Sequence, residues 1–82
     1  MKKTEYKGIY AGPTSFRIEF MYRGERCREP VRAIPTKSRL QEAARKRDVV
    51  LYEIDMGFFD YLKHFPESKN AYKFSNNKAS VS

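Results

Sequence analysis

The sequence predicts an α+β domain: a three-stranded antiparallel sheet packed on one long C-terminal α-helix, followed by an aromatic segment and a disordered tail. Two observations carry this prediction. Residues from Ser15 to Ala33 sort by parity into an apolar and a basic set, as a hairpin requires, and Leu40, Ala43, Ala44, Val50, Leu51 and Ile54 recur at the three- and four-residue steps of a helix buried on one side.

Taken in order, residues 1–7 are basic and unpatterned and are expected to form a flexible arm. Ile9 to Ala11 reads as a short first strand, and Gly12-Pro13-Thr14 supplies a turn signal before a second strand from Ser15 to Tyr22. Proline at position 13 suits a primed two-residue turn badly, so a loop of about four residues is expected there. Placing Ala11 opposite Phe16 puts Ile9 and Ala11 on the core face and Tyr10 beside Arg17 on the other. Arg23-Gly24 as a two-residue turn then pairs Tyr22 with Glu25, Phe20 with Cys27, Ile18 with Glu29 and Phe16 with Val31. These pairs share one mostly apolar face. Arg17, Glu19, Met21, Arg26, Arg28, Pro30 and Arg32 must project from the opposite face. Pro30 lacks an N–H for a further partner, which makes the third strand an edge.

The helix is expected from Lys37 to Met56, with Thr36 as N-cap, Ser38 and Gln41 as a shifted capping box and Gly57 as the left-handed stop. Phe58, Phe59, Tyr61, Leu62 and Phe65 follow as an aromatic cluster ending at Pro66, dense enough that it is expected to close the core. From Glu67 the chain turns to Lys, Asn and Ser without periodicity. The expected organisation is therefore an arm over 1–7, a domain over 8–66 and a disordered linker over 67–82. Two charges fall on buried faces, Arg47 on the helix and Glu29 on the third strand, and the pattern predicts a salt bridge between them. The alternative is that the arginine stem carries its charge out to water.

Composition narrows the function classes. Seventeen Lys and Arg stand against ten Asp and Glu, giving a net charge of +7 and a pI near 9.7, so anionic partners accumulate around the chain. A chain of this length buries only about 60% of its unfolded surface, which leaves little room for an enclosed active site. Cys27 is the single cysteine and His64 the single histidine, so neither an internal disulfide nor a Cys/His zinc site can be assembled. No cofactor, metal, membrane or small-molecule substrate is expected. No apolar run approaches the ~20 residues of a membrane span, and the start lacks the apolar stretch of a signal peptide, so a cytosolic compartment is expected.

The outer sheet face points to nucleic acid. Arg17, Arg26, Arg28 and Arg32 stand against Glu19 alone, and a short ribbon of arginines has the width and charge to lie in a DNA major groove. Tyr10 and Met21 would supply apolar or hydrogen-bonding contact between them, and the Lys2-Lys3 arm would follow a groove or strand. Arg23 on the turn and Lys37 and Arg39 at the helix start would anchor the DNA backbone. Those last two, with Glu53 and Asp55 at the far end, reverse the order that the helix dipole favours. Phosphate contact is one reason for such a reversal, and the low cost of misplacing exposed charges is the other.

Several short motifs occur together: Gly8-Ile9-Tyr10; Phe16-Arg17-Ile18-Glu19-Phe20 with Arg26-Cys27-Arg28-Glu29; Pro35-Thr36-Lys37; Ala43-Ala44-Arg45; and Gly57-Phe58-Phe59-Asp60-Tyr61 with Phe65-Pro66. In this combination, from Gly8 to about Ser68, the chain resembles the N-terminal arm-type DNA-binding domain of phage integrases, which are tyrosine recombinases. The resemblance implies a three-stranded sheet on one helix, with the sheet placed in the major groove of arm sites that lie away from the crossover point. It implies double-stranded DNA as partner, with neighbouring integrase protomers as further partners of the full-length protein. Arg23-Gly24 departs from the stronger Asn-Gly hairpin signal, and Pro30 interrupts the third strand. The recombinase reaction needs a nucleophilic tyrosine among several Arg and His residues, and one histidine cannot supply that set, so this chain is expected to bind DNA without cutting it.

Three rival classes are distinguishable. An RNA-binding sheet would expose aromatic residues for base stacking, whereas parity leaves only Tyr10 outside. A protein-interaction module would use the third-strand edge, which Pro30 blunts, and would leave the charge unexplained. A small enzyme would need paired carboxylates, metal-ligand spacing or a nucleophile beside a base, and none appears.

Overall fold

A computed structural model describes residues 1–79, with side chains through Phe74. The chain runs β1 (Lys2–Lys3), β2 (Ile9–Ala11), β3 (Phe16–Tyr22), β4 (Glu25–Val31), α1 (Lys37–Met56), α2 (Tyr61–His64) and α3 (Lys69–Ala79). The strands form one antiparallel sheet in the order β1-β2-β3-β4. The hairpin register is the one parity demands: Tyr22 faces Glu25, Phe20 faces Cys27, Ile18 faces Glu29 and Phe16 faces Val31. Arg23 and Gly24 at φ of 53° and 79° form the primed turn whose twist suits a two-residue hairpin. Ala11 pairs with Phe16 across a four-residue loop, closed by the Gly12 N–H donating to the Ser15 carbonyl at 2.8 Å. Pro30 lies on the edge strand β4.

Helix α1 covers the apolar face. The Thr36 side chain accepts the Arg39 N–H at 3.2 Å, and Gly57 at φ 86° ends the helix by returning its own N–H to the Ile54 carbonyl. The core joins Ile9, Phe16, Ile18, Phe20 and Cys27 of the sheet to Ala43 and Val50 of α1 and to Tyr61, Ala71 and Phe74. Each fully buried Ile, Val or Phe side chain contributes about 1.5–3 kcal/mol, so these few residues dominate the stability of so small a chain.

Four expectations are corrected. The flexible arm over residues 1–7 is partly ordered: Lys2 and Lys3 pair with Ala11 and Tyr10, making a fourth strand. Thr4 holds the connection, donating its hydroxyl to the Ile9 carbonyl at 2.8 Å and accepting the Tyr6 N–H at 3.1 Å.

The linker expected over residues 67–82 instead contains α3. The Ser68 hydroxyl oxygen accepts the Asn70 N–H at 3.0 Å at its start, and Ala71 and Phe74, three residues apart, dock on the core. Phe74 sits edge-on to Tyr22 at 4.7 Å and stacks on Tyr61 at 5.5 Å. Residues 80–82 of that expectation lie outside the described residues.

The aromatic cluster closes the core only in part. Tyr61, Phe59 and Phe65 pack inward, but Phe58 and Leu62 are exposed, and Phe58 lies edge-on to Tyr52 on the outer side of α1. The short helix α2, capped by Asp60, buries Tyr61 and turns Leu62 outward, while Phe58 precedes it.

The Arg47–Glu29 bridge does not form, because β3 lies between the two. Glu29 on β4 instead accepts hydrogen bonds from the hydroxyls of Tyr61 and Ser68 and from the Asn70 amide, so α2 and α3 satisfy it. Arg47 reaches the other side of β3. There β2 has not yet begun, and the Arg47 Nε donates to the free Glu19 carbonyl at 2.6 Å. Its guanidinium lies across Gly8, where a Cβ would fall 2.0 Å from Nε, and Gly8 itself has a φ of +77°.

Candidate nucleic-acid interface

Strand pairing places the outer-face side chains in rows. One row runs Lys3, Tyr10, Arg17 and Pro30 across all four strands; the next holds Glu19 and Arg28, and the next Met21 and Arg26. Because β2 begins only at Ile9, the last two rows border a shallow concavity whose lining includes Lys7, Gly8, Tyr10, Glu19, Met21, Arg26 and Arg47. Met21, Arg26, Arg28 and Arg32 are exposed and Arg17 is half-buried. Arg32 lies just past the end of β4.

The face is ordered by contacts among its own members. The Arg17 guanidinium lies 5.1 Å from the centre of the Tyr10 ring, a cation–π approach. Arg17 and Arg28 converge with their Nε atoms 2.6 and 3.4 Å from the same Glu19 oxygen, ion-pair contacts that both lie outside hydrogen-bond geometry. The Glu19 side chain is only 9% exposed.

Of the residues the sequence singled out, Tyr10, Arg17, Met21, Arg26 and Arg28 are brought together on this face, with Arg32 at its end. The remaining three are not. Arg23 folds over the rings of Tyr22 and Phe74 on the helical side, and Lys37 and Arg39 open α1, which packs on the opposite face of the sheet. Sequence reasoning missed two others, Lys7 and Arg47, and placed Lys3 on a flexible arm rather than on the sheet. Lys3 joins the face through β1, a two-residue strand too short for alternation to reveal. Lys7 and Arg47 line its concavity, and Arg47 gets there because a glycine at position 8 leaves room for it.

The titratable groups that are perturbed lie on the core side. Burial, followed by the hydrogen bond to Glu29, pushes the Tyr61 hydroxyl well above the usual tyrosine range, and burial raises the Cys27 thiol. Both shifts oppose the ionised form that a nucleophile needs. Among the described residues, no group of three or more His, Cys, Asp or Glu could hold a metal ion, and no helix is long and apolar enough to cross a membrane.

Comparison with known proteins gives two matches. Residues 6–69 match the arm DNA-binding domain family. The chain is also 41% identical over 70 residues to prophage integrase IntR of Escherichia coli (strain K12), over 84% of this chain and 16% of that protein. No solved structure matches.

Proposed function

The chain belongs to the arm DNA-binding domain family, and from that premise we propose that it is the N-terminal module of a phage-type integrase, a tyrosine recombinase, holding arm-type duplex sites with the outer face of its sheet in the major groove. The observation that carries this reading is the register. It aligns Lys3, Arg17, Arg26 and Arg28 on one side of a ribbon whose other side is sealed by α1. Arg17, Arg26, Arg28 and Arg32 make the groove and phosphate contacts, with Tyr10 and Met21 filling the space between them. Arg23, Lys37 and Arg39, set on the other layer, are assigned to flanking phosphates rather than to bases. Neighbouring protomers of the integrase are the further partners this reading implies. DNA cleavage is assigned to none of these residues: the tyrosine held deepest, Tyr61, donates its hydroxyl to Glu29 in the core.

The test is a titration of the chain with duplex fragments of the source element's attachment region, alongside random duplex and single-stranded RNA. The attachment-region duplex should bind tightest, and equal affinity for all three would overturn the arm-site assignment. Arg17→Ala with Arg28→Ala should weaken that binding while Lys69→Ala leaves it unchanged. The reverse result would move the binding element to α3.

A further inference from the structure

A carboxylate on a surface that meets phosphate opposes binding, so a buried Glu19 on the outer face needs a reason. Its surroundings supply one. The Glu19 main chain is fixed through both of its polar groups, its N–H donating to the Gly8 carbonyl at 2.8 Å and its carbonyl accepting from Arg47 at 2.6 Å. Its side chain meets two arginines, whose Nε atoms lie within ion-pair distance of the same oxygen without hydrogen-bonding to it. An arginine drawn by charge to a carboxylate on its Nε side keeps its terminal Nη edge free, and that edge makes the paired contact to guanine O6 and N7. Among the described residues, neither Arg17 nor Arg28 has a hydrogen-bond partner at Nη, and neither Arg26 nor Arg32 has a carboxylate within ion-pair distance. Tyr10 braces Arg17 from the neighbouring strand.

We propose that Glu19 is a specificity-determining positioning residue that aims Arg17 and Arg28 at guanine edges, while the unpaired Arg26 and Arg32 serve phosphates. This inference rests on the major-groove reading of the outer face. It carries a signature that a merely structural carboxylate lacks. Removing Glu19 deletes a negative charge from the DNA-facing surface, so non-specific affinity should hold or rise. Discrimination should fall, because two arginines lose their fixed aim.

The experiment starts with duplexes selected by the wild-type chain from a random-sequence pool. Affinities of wild type, Glu19→Ala and Glu19→Gln are then measured on a selected duplex and on its scrambled counterpart, with thermal unfolding of each variant alongside. The glutamine keeps shape and an acceptor oxygen, so it serves if the alanine variant fails to fold. The ratio of selected to scrambled affinity should drop by about fivefold or more in either variant, the size of one lost paired guanine contact, with scrambled-duplex affinity undiminished. A preserved ratio, or a parallel loss on both duplexes in a folded variant, would overturn the role of Glu19. A separate arm protects the interpretation: if Arg17→Ala changes neither affinity, the outer-face reading itself has failed.

Discussion

Substituting alanine at Gly8 should destabilise the chain through Arg47. The backbone there is left-handed, at φ +77°, which costs a residue with a Cβ about 1–2 kcal/mol. The new Cβ would also stand 2.0 Å from the Arg47 Nε, so the guanidinium must withdraw from the Glu19 carbonyl. A hydrogen bond from a charged donor contributes about 1.5–3 kcal/mol, which brings the expected loss to about 2.5–5 kcal/mol. That is a large fraction of the ~5–15 kcal/mol typical of a folded domain. The two parts separate in a double-mutant cycle, because once Arg47→Ala has removed the guanidinium, Gly8→Ala should cost only the backbone share, about 1–2 kcal/mol. Urea unfolding followed by circular dichroism and tyrosine fluorescence measures all four chains, the sequence having no tryptophan. Additive losses would refute the argument, since they would mean that Arg47 does not lie across Gly8 and does not fix the backbone of Glu19.

Three further outcomes are expected. With about five cations neutralising phosphates, log K against log salt should have a slope of roughly −4 to −5 on duplex DNA, and Arg26→Ala should flatten it by about one. Because Tyr61 keeps its proton in the folded chain above the pH at which it would ionise unfolded, it stabilises fully below about pH 10 and progressively less above it. An ultraviolet titration should therefore show fewer than six tyrosines ionising until the chain unfolds, and complete titration of the folded chain would contradict this. Phe74→Ala should cost about 3–5 kcal/mol in denaturant unfolding, as for a packed core aromatic, whereas a dispensable tail would show no change.

Where one periodicity controls the structure, the sequence could be read directly. Strand parity gave the β3–β4 register and the outer set from Tyr10 to Arg28, and helical spacing with Thr36 and Gly57 gave α1 to the residue. What escaped depends on contacts that no period encodes. Strand β1 exists because the Thr4 hydroxyl organises the turn behind it. Among the described side chains, helix α3 places Ala71 and Phe74 on the core in a run rich in Lys and Asn, too sparse a stripe to stand out from a linker. Arg47 and Glu29 were correctly marked as charges on buried faces but wrongly joined. Partner choice depended on where β2 begins and where the chain returns after Pro66, both tertiary facts. Arg23, Lys37 and Arg39 look equivalent to the groove arginines by charge alone, and the layer to which each belongs separates them.

The central claim, that the outer face of the sheet is the surface that meets DNA, is tested most directly by nuclear magnetic resonance on the ¹⁵N-labelled chain titrated with a short selected duplex. The largest shifts should fall on the amides of Tyr10, Arg17, Met21, Arg26 and Arg28 and on the Nε–H signals of Arg17 and Arg28, with the exposed side of α1 around Tyr52 unmoved. Shifts concentrated on α1 or α3, with β3 and β4 silent, would contradict the account.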